Sequence, residues 1–138
     1  KRGRPSSRKD EKPLLSYGVQ DIKSRYATFQ RQMATTGQML ERFGGVEIYG
    51  YGAGQMLPIL AYHLQNNFSL LESVLDDDPA KQGLYYQNLP LKISSPATVA
   101  DWQEATVFIT AVDNAKPILI RLLTGNRPKH IFYPLHIL

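Results

Sequence analysis

Three glycines, Gly50, Gly52 and Gly54, alternate with Tyr51 and Ala53 at the junction between an apolar run, Val46–Tyr49, and a helical pattern, Gln55–Gln65. Glycine at that density ends strand and helix alike, so the segment reads as a tight turn. A strand that feeds through such a turn into a helix belongs in a parallel sheet, because an antiparallel neighbour needs only a hairpin. The helix start would offer N–H groups and a positive dipole end beside a backbone that a ligand can approach closely.

The remainder of the chain keeps the same alternation. The helix Gln55–Gln65 carries Met56, Leu57, Leu60, Ala61 and Leu64. A second strand is expected at Leu70–Leu75, running into Asp76-Asp77-Asp78-Pro79. A short edge strand at Leu91–Ile93 leads to a helical turn with Ser95 as cap and Pro96 at its first position. A buried strand at Thr106–Thr110, a helix at Lys116–Leu123 and a last strand at His130–Tyr133 complete the pattern. Alternating strands and helices predict right-handed parallel crossovers. The expected fold class is α/β: a Rossmann-like three-layer sandwich whose mostly parallel five-stranded sheet has the order 3-2-1-4-5.

Upstream of the sheet, residues 16–45 predict a long amphipathic helix from about Val19 to Phe43. Ile22, Tyr26, Phe29, Met33, Leu40 and Phe43 fall on one stripe, and Gly44-Gly45 supply the stop. That stripe has to be covered, by the α/β core or by a second copy of the chain, which makes a homodimer through this helix one expectation. Residues 1–15 are polar, broken by proline and without aromatics, and read as a flexible basic linker. Opening on Lys1 rather than Met, the chain reads as a piece of something longer.

The positive charge sits on that linker. Lys1, Arg2, Arg4, Arg8, Lys9 and Lys12 against Asp10 and Glu11 account for all of the net +4, and the ten basic and ten acidic residues that follow cancel. A nucleic-acid-binding domain carries its charge on a folded face, so nucleic acid is not the expected partner. Gly3 between Arg2 and Arg4, followed by Pro5, has the form of a minor-groove hook but stands alone, and a solvated linker is the preferred reading. With no cysteine, a disulfide scaffold and a thiolate metal site are excluded. No apolar run approaches the ~18 residues of a membrane span, so no membrane partner is expected and a cytoplasmic location is the default.

The candidate binding residues gather around the glycine turn: Gly50, Tyr51, Gly52, Ala53 and Gly54, with Asp76 and Asn114. Asp76 follows Gly50 by 26 residues, at the tip of the second strand, where nucleotide-binding sheets place a carboxylate for ribose hydroxyls. The third glycine of a dinucleotide fingerprint is replaced by Gln55, so an independent dinucleotide module is the second reading and an empty, purely structural turn the third. Asp113-Asn114 follow the fourth strand and either reach a ligand or cap the next helix. Tyr49, Tyr51, Tyr85 and Tyr86 fall near the same edge, with packing their preferred role. Asp76-Asp77-Asp78-Pro79 reads as a turn closed by Gly83 rather than as a metal site. His63, His130 and His136 are scattered and partnerless, and no residue is assigned a catalytic role.

Three segments together carry a family resemblance: Tyr49-Gly50-Tyr51-Gly52-Ala53, the turn from Asp76 to Leu84, and Leu89-Pro90-Leu91-Lys92-Ile93-Ser94-Ser95-Pro96. In this order they resemble the C-terminal domain of the S-adenosylmethionine-dependent C-methyltransferases, many of which act on nucleotide-linked deoxysugars. The leading helix fits the same layout, so the resemblance covers about residues 16–138. It implies a Rossmann-like accessory domain that helps to enclose the substrate, a nucleotide sugar, and binds no cofactor itself. S-adenosylmethionine and the general base are then expected on a preceding methyltransferase domain, the implied partner. Two positions depart from the family pattern: Gln55-Met56 stand where a small and then a basic residue are usual, and Val112 precedes Asp113-Asn114 where an aromatic precedes Asn. A weaker resemblance runs to the nucleotide-binding domains that open bacterial polysaccharide-modifying enzymes.

Overall fold

A computed structural model describes residues 18–134, together with Gly3. The expected basic linker, apart from that glycine, and His136 lie outside the described residues. The elements are α1 (Val19–Glu41), β1 (Ile48–Tyr51), α2 (Leu57–Leu64), β2 (Val74–Leu75), β3 (Ile93–Ser94), β4 (Thr106–Ile109), α3 (Ala115–Arg121) and β5 (His130–Phe132). The sheet has the order β3-β2-β1-β4-β5, and every neighbouring pair is parallel. Both the α/β class and the strand order match what the alternation predicts.

Strand periodicity divides the core into two layers. On one face Ile48, Val74 and Phe108 pack with Met33 and Leu40 of α1 and with Leu57, Leu60 and Leu64 of α2. On the other, Tyr51, Leu75, Val107 and Ile109 pack with Ala115 and Ile118 of α3 and with Leu122. Helices thus cover both faces, which is why β1 and β4 are buried at every residue instead of alternating inward and outward.

α1 ends as expected in a tight turn, with the Phe43 N–H donating to the Leu40 carbonyl at 3.1 Å and Gly45 at φ +91°. It comes close to α2 at Gly37, where an added Cβ would lie 2.0 Å from the Leu64 carbonyl oxygen. The predicted stripe is only partly covered. Met33 and Leu40 are buried, whereas Ile22 and Tyr26 remain exposed. The short α2 reaches as far as Phe29, whose ring His63 meets edge-on.

Several boundaries differ from the sequence expectation. β1 starts and ends two residues later than Val46–Tyr49, because Gly50 and Tyr51 continue the ladder and pair with both β2 and β4. β2 is only Val74–Leu75, not Leu70–Leu75. Before it, the chain turns through Phe68 at φ 59°, whose N–H donates to the Asn66 side-chain carbonyl at 2.7 Å, and Leu71 closes the turn onto the Phe68 carbonyl. β3 begins two residues after Leu91 and ends at Ser94. Ser95 then caps the 3-10 turn Pro96–Thr98, its hydroxyl accepting from the Ala97 N–H at 3.2 Å. α3 opens one residue before Lys116 and ends at Arg121, where a wide i→i+5 turn, Leu122–Asn126, replaces its expected last residues.

No helix joins β2 to β3. The turn Asp76–Gly83 instead leads into a segment lying antiparallel to the outer edge of β3: Gly83 N–H donates to the Ile93 carbonyl at 2.8 Å, and Ile93 N–H to the Leu84 carbonyl at 2.8 Å. The exposed edge of a two-residue strand is thereby paired within the chain. Among the described residues no helix is long and apolar enough to cross a membrane.

Candidate functional site

The strand order reverses between β1 and β4, and ligands in sheets of this kind sit beyond the strand ends at that point. Here it opens into a crevice of ≈ 530 Å³, lined by the turn Tyr51–Gly54, by Asp76–Asp78 with Lys81, and by Ala111, Asp113, Asn114 and Ile118. A second crevice of similar size, lined by Glu41, Gln65, Asn66, Asn67, Ser69 and Leu70, lies away from the switch point and holds one carboxylate among neutral side chains.

The sequence places six of its seven candidate binding residues here: Tyr51, Gly52, Ala53, Gly54, Asp76 and Asn114 all line the crevice. Gly50 does not. It lies inside β1, where an added Cβ would come within 3.1 Å of the Thr110 methyl and 3.3 Å of Val74, so its small size serves packing between strands. Gly52 is the hinge of the turn. Its φ is +101°, and a Cβ there would overlap that of Ala111 at 2.2 Å. The buried Thr110 hydroxyl fixes the turn by donating to the Gly52 carbonyl at 2.7 Å.

The expectation that this turn presents backbone N–H groups to an anion is corrected by its hydrogen bonds. Gly50 N–H donates to the Ser73 carbonyl at 3.0 Å, Gly52 N–H to the Leu75 carbonyl at 2.8 Å, and Gly54 N–H to the Gly52 carbonyl at 3.0 Å. Ala53 N–H donates to Asp76 Oδ2 at 2.8 Å. All four donors are used within the protein, and the carboxylate that a dinucleotide site would turn toward a ribose holds the turn instead.

Asp76 is the centre of this closure. Its Oδ1 accepts from the Asp78 N–H at 2.9 Å, and its Oδ2 also accepts from Lys81 Nζ at 3.2 Å. Lys81 reaches the Ala53 carbonyl as well, at 3.4 Å, and Gln82 Nε2 donates to the Asp76 carbonyl at 2.9 Å. Burial pushes the Asp76 carboxyl up, but the Asp78 and Ala53 N–H groups and the Lys81 ammonium outweigh it, and the net shift is downward. From the other side, the Tyr86 hydroxyl donates to the Gly54 carbonyl at 3.0 Å; burial, with the nearby Asp76 charge, pushes that phenol up to about 12.

The far wall is tied separately. Asp77 pairs with Arg121 of α3 and accepts from the Tyr51 hydroxyl at 2.9 Å. Burial raises the Tyr51 phenol above its ordinary value, with Arg121 opposing and Asp77 adding to the shift. Asp113 and Asn114 are exposed on the wall, and the Asn114 side chain does not cap α3 although it occupies the cap position. The helix-cap alternative for Asn114 is therefore not realised, and the residue lines the crevice.

The remaining sequence candidates fall elsewhere. Tyr49 is buried against the α3 layer, and Tyr85 lies exposed beneath Lys92 Nζ, 5.9 Å from its ring centroid. His63 packs edge-on against Phe29, and His130 lies tilted against Phe43. Asp76-Asp77-Asp78 form the expected turn, with the Lys81 N–H donating to the Asp78 carbonyl at 3.1 Å and Gly83 at φ +87°. Tyr86 was placed near this edge with packing as its preferred role, whereas Lys81, Thr110 and Arg121 went unread as site residues. Of these three, Thr110 alone had a signal, since the expected order placed its strand directly beside the glycine turn.

Chemically, the crevice carries four carboxylates, Asp76, Asp77, Asp78 and Asp113, against the ammonium of Lys81 and the guanidinium of Arg121. The Gly50, Gly52, Ala53 and Gly54 N–H groups are all used within the protein, and the Asp76 carboxylate is held by Ala53, Asp78 and Lys81. Carboxylate and amide oxygens at its rim suit hydroxyl groups. Fold and site together define a Rossmann-like α/β domain with a polar crevice at its switch point. Neither models of known protein families nor curated protein sequences give a match to the chain.

Proposed function

We propose that this chain is an accessory, substrate-side domain of an S-adenosylmethionine-dependent methyltransferase. Its crevice takes the hydroxyl-bearing part of a nucleotide-linked sugar, and the methyl donor and catalytic groups belong to a preceding domain. The observation that carries the reading is the closed glycine turn. A crevice in the position of a nucleotide site, with its amide donors consumed and its rim furnished with Asp78, Asp113 and Asn114, suits a neutral polyhydroxyl group better than a cofactor phosphate. The resemblance in the three quoted segments supplies the methyltransferase context. The same hydrogen bonds count against the dinucleotide reading.

Amide-resolved NMR titration of the chain tests this. A nucleotide sugar at millimolar concentration is expected to move the Gly52–Gly54 and Asp113–Asn114 amides, weakly, because a shared site lacks its other half. NAD and S-adenosylmethionine are expected to bind no tighter than about millimolar. Saturable micromolar binding of either cofactor at the turn would return the dinucleotide-type reading. If no nucleotide sugar moves these amides, the crevice is not a substrate wall.

A further inference from the structure

From Val19 to Phe43 the stripe of α1 advances by three and four residues in strict alternation once Val19 and Thr36 are included. A 3.5-residue repeat is the seam along which one helix packs lengthwise on another. Its C-terminal half is filled: Met33 is 6% exposed and Leu40 0%, with α2 against them. The N-terminal half continues in the same phase and is bare, with Val19 68%, Ile22 59% and Tyr26 49% exposed.

The bare face does not stop at α1. The Tyr26 ring stacks on Phe29 at 6.2 Å, Phe29 meets His63 edge-on at 5.0 Å, and His63 meets Tyr62 at 5.2 Å. Tyr62 is 72% exposed, and Ile59, one turn earlier on α2, is 47% exposed. A continuous apolar band therefore crosses from the N-terminal half of α1 onto the outer face of α2. Contiguous apolar surface with a polar border is what interaction sites present.

Charge decides what covers it. With Val19, Ile22 and Tyr26 as the core positions of a heptad, Lys23 and Arg25 fall at the two flanking positions, and Asp21 lies off the seam. Flanking charges set partner choice in helix pairing. A second copy of this chain laid antiparallel on the same seam would set Lys23 and Arg25 against their own kind, which disfavours that self-pairing. We propose that the band from Val19 to Tyr62 docks one amphipathic helix of a partner, whose apolar stripe is bordered by carboxylates. The inference is independent of the crevice and of its ligand.

The probe is a pair of designed helical peptides with leucine at the seam positions, one flanked by glutamates and one by lysines. Titrated into the chain, the glutamate peptide is expected to bind saturably and at least about tenfold tighter than its lysine counterpart. It should shift amides in the Val19–Phe29 and Ile59–His63 segments, and its affinity should fall as salt is raised. The double variant Ile22→Ser, Tyr26→Ser is expected to lose most of this binding. Both side chains are exposed, so its helix content and melting should match the parent chain. Equal binding of the two peptides, no binding of either, or binding that survives the double variant would overturn the proposal. So would a dimer in sedimentation that the double variant dissociates, since that assigns the face to a second copy.

Discussion

Gly52 and Gly54 stand two residues apart in the same turn and tolerate change very differently. At Gly52 a side chain meets a positive φ and the Ala111 Cβ together, whereas at Gly54 nothing lies nearer than the Met56 nitrogen at 3.9 Å. Gly52→Ala is expected to cost about 2–4 kcal/mol of stability and Gly54→Ala to fall within about 0.5 kcal/mol of the parent, both read by urea unfolding. Comparable losses at the two sites would show that the turn, rather than its hinge, is strained. Two titrating groups give this turn opposite pH limits. Asp76 has a lowered folded pKa, so its contribution is present above the unfolded carboxylate value and is lost as pH falls through the folded one, which confines the loss to acid below about pH 4. Tyr86 has a raised folded pKa, so its contribution is intact below the unfolded phenol value and disappears as pH climbs toward about 12. Stability followed against pH should show both limits, and Tyr86→Phe should remove part of the alkaline one. An alkaline limb unchanged in Tyr86→Phe would assign it to other phenols. The position of Asp76 was legible in the sequence. Its use was not, because strand-end spacing places a carboxylate beside the turn without saying which donor it takes, and a lysine five residues on carries no recognisable signature.

The elements were legible where periodicity is long and misread where it is short. α1 shows several turns of a repeating stripe, and its start follows while its end, Glu41, falls two residues short of Phe43; β2 borrows an apolar run in which Leu70 and Leu71 belong to a turn set by Asn66 and Phe68. Gly37 shows why pattern alone cannot give packing. Mid-helix glycine weakens a helix, and Gly37→Ala gains about 1 kcal/mol of intrinsic propensity. The added methyl, however, would lie 2.0 Å from the Leu64 backbone oxygen, so α2 must move or α1 must tilt. Overpacking of this kind costs about 1–3 kcal/mol and outweighs the propensity gain. Gly37→Ala is therefore expected to lower stability by about 1–2 kcal/mol, and a stabilised variant in denaturant titration would mean that the two helices do not meet there.

At the scale of the whole molecule, the sheet is strongest where the crevice begins and weakest along one of its walls. β1 and β4 are buried along their full length and pair with each other over four residues, whereas β2 and β3 pair over two. The glycine turn and Asp113-Asn114 thus grow from the two longest strands, and Asp76–Lys81 grows from the two-residue β2 and is fastened by side chains. Local opening follows such differences, since free energies of opening range from near zero up to the global value. In native-state hydrogen exchange the amides of Ile48–Tyr51 and Thr106–Ile109 should open only with global unfolding. Those of Lys81–Tyr86 should open earlier, with Asp76→Asn opening them earlier still, because the Lys81 contact loses its charge. A ligand bridging the crevice would join the mobile wall to the rigid one and slow exchange at Lys81 and Gly83 more than in β1. If ligand protection instead appears only in the central strands, or if the crossover opens no earlier than β4, the wall is already rigid. The crevice would then be a fixed cleft in which binding orders nothing.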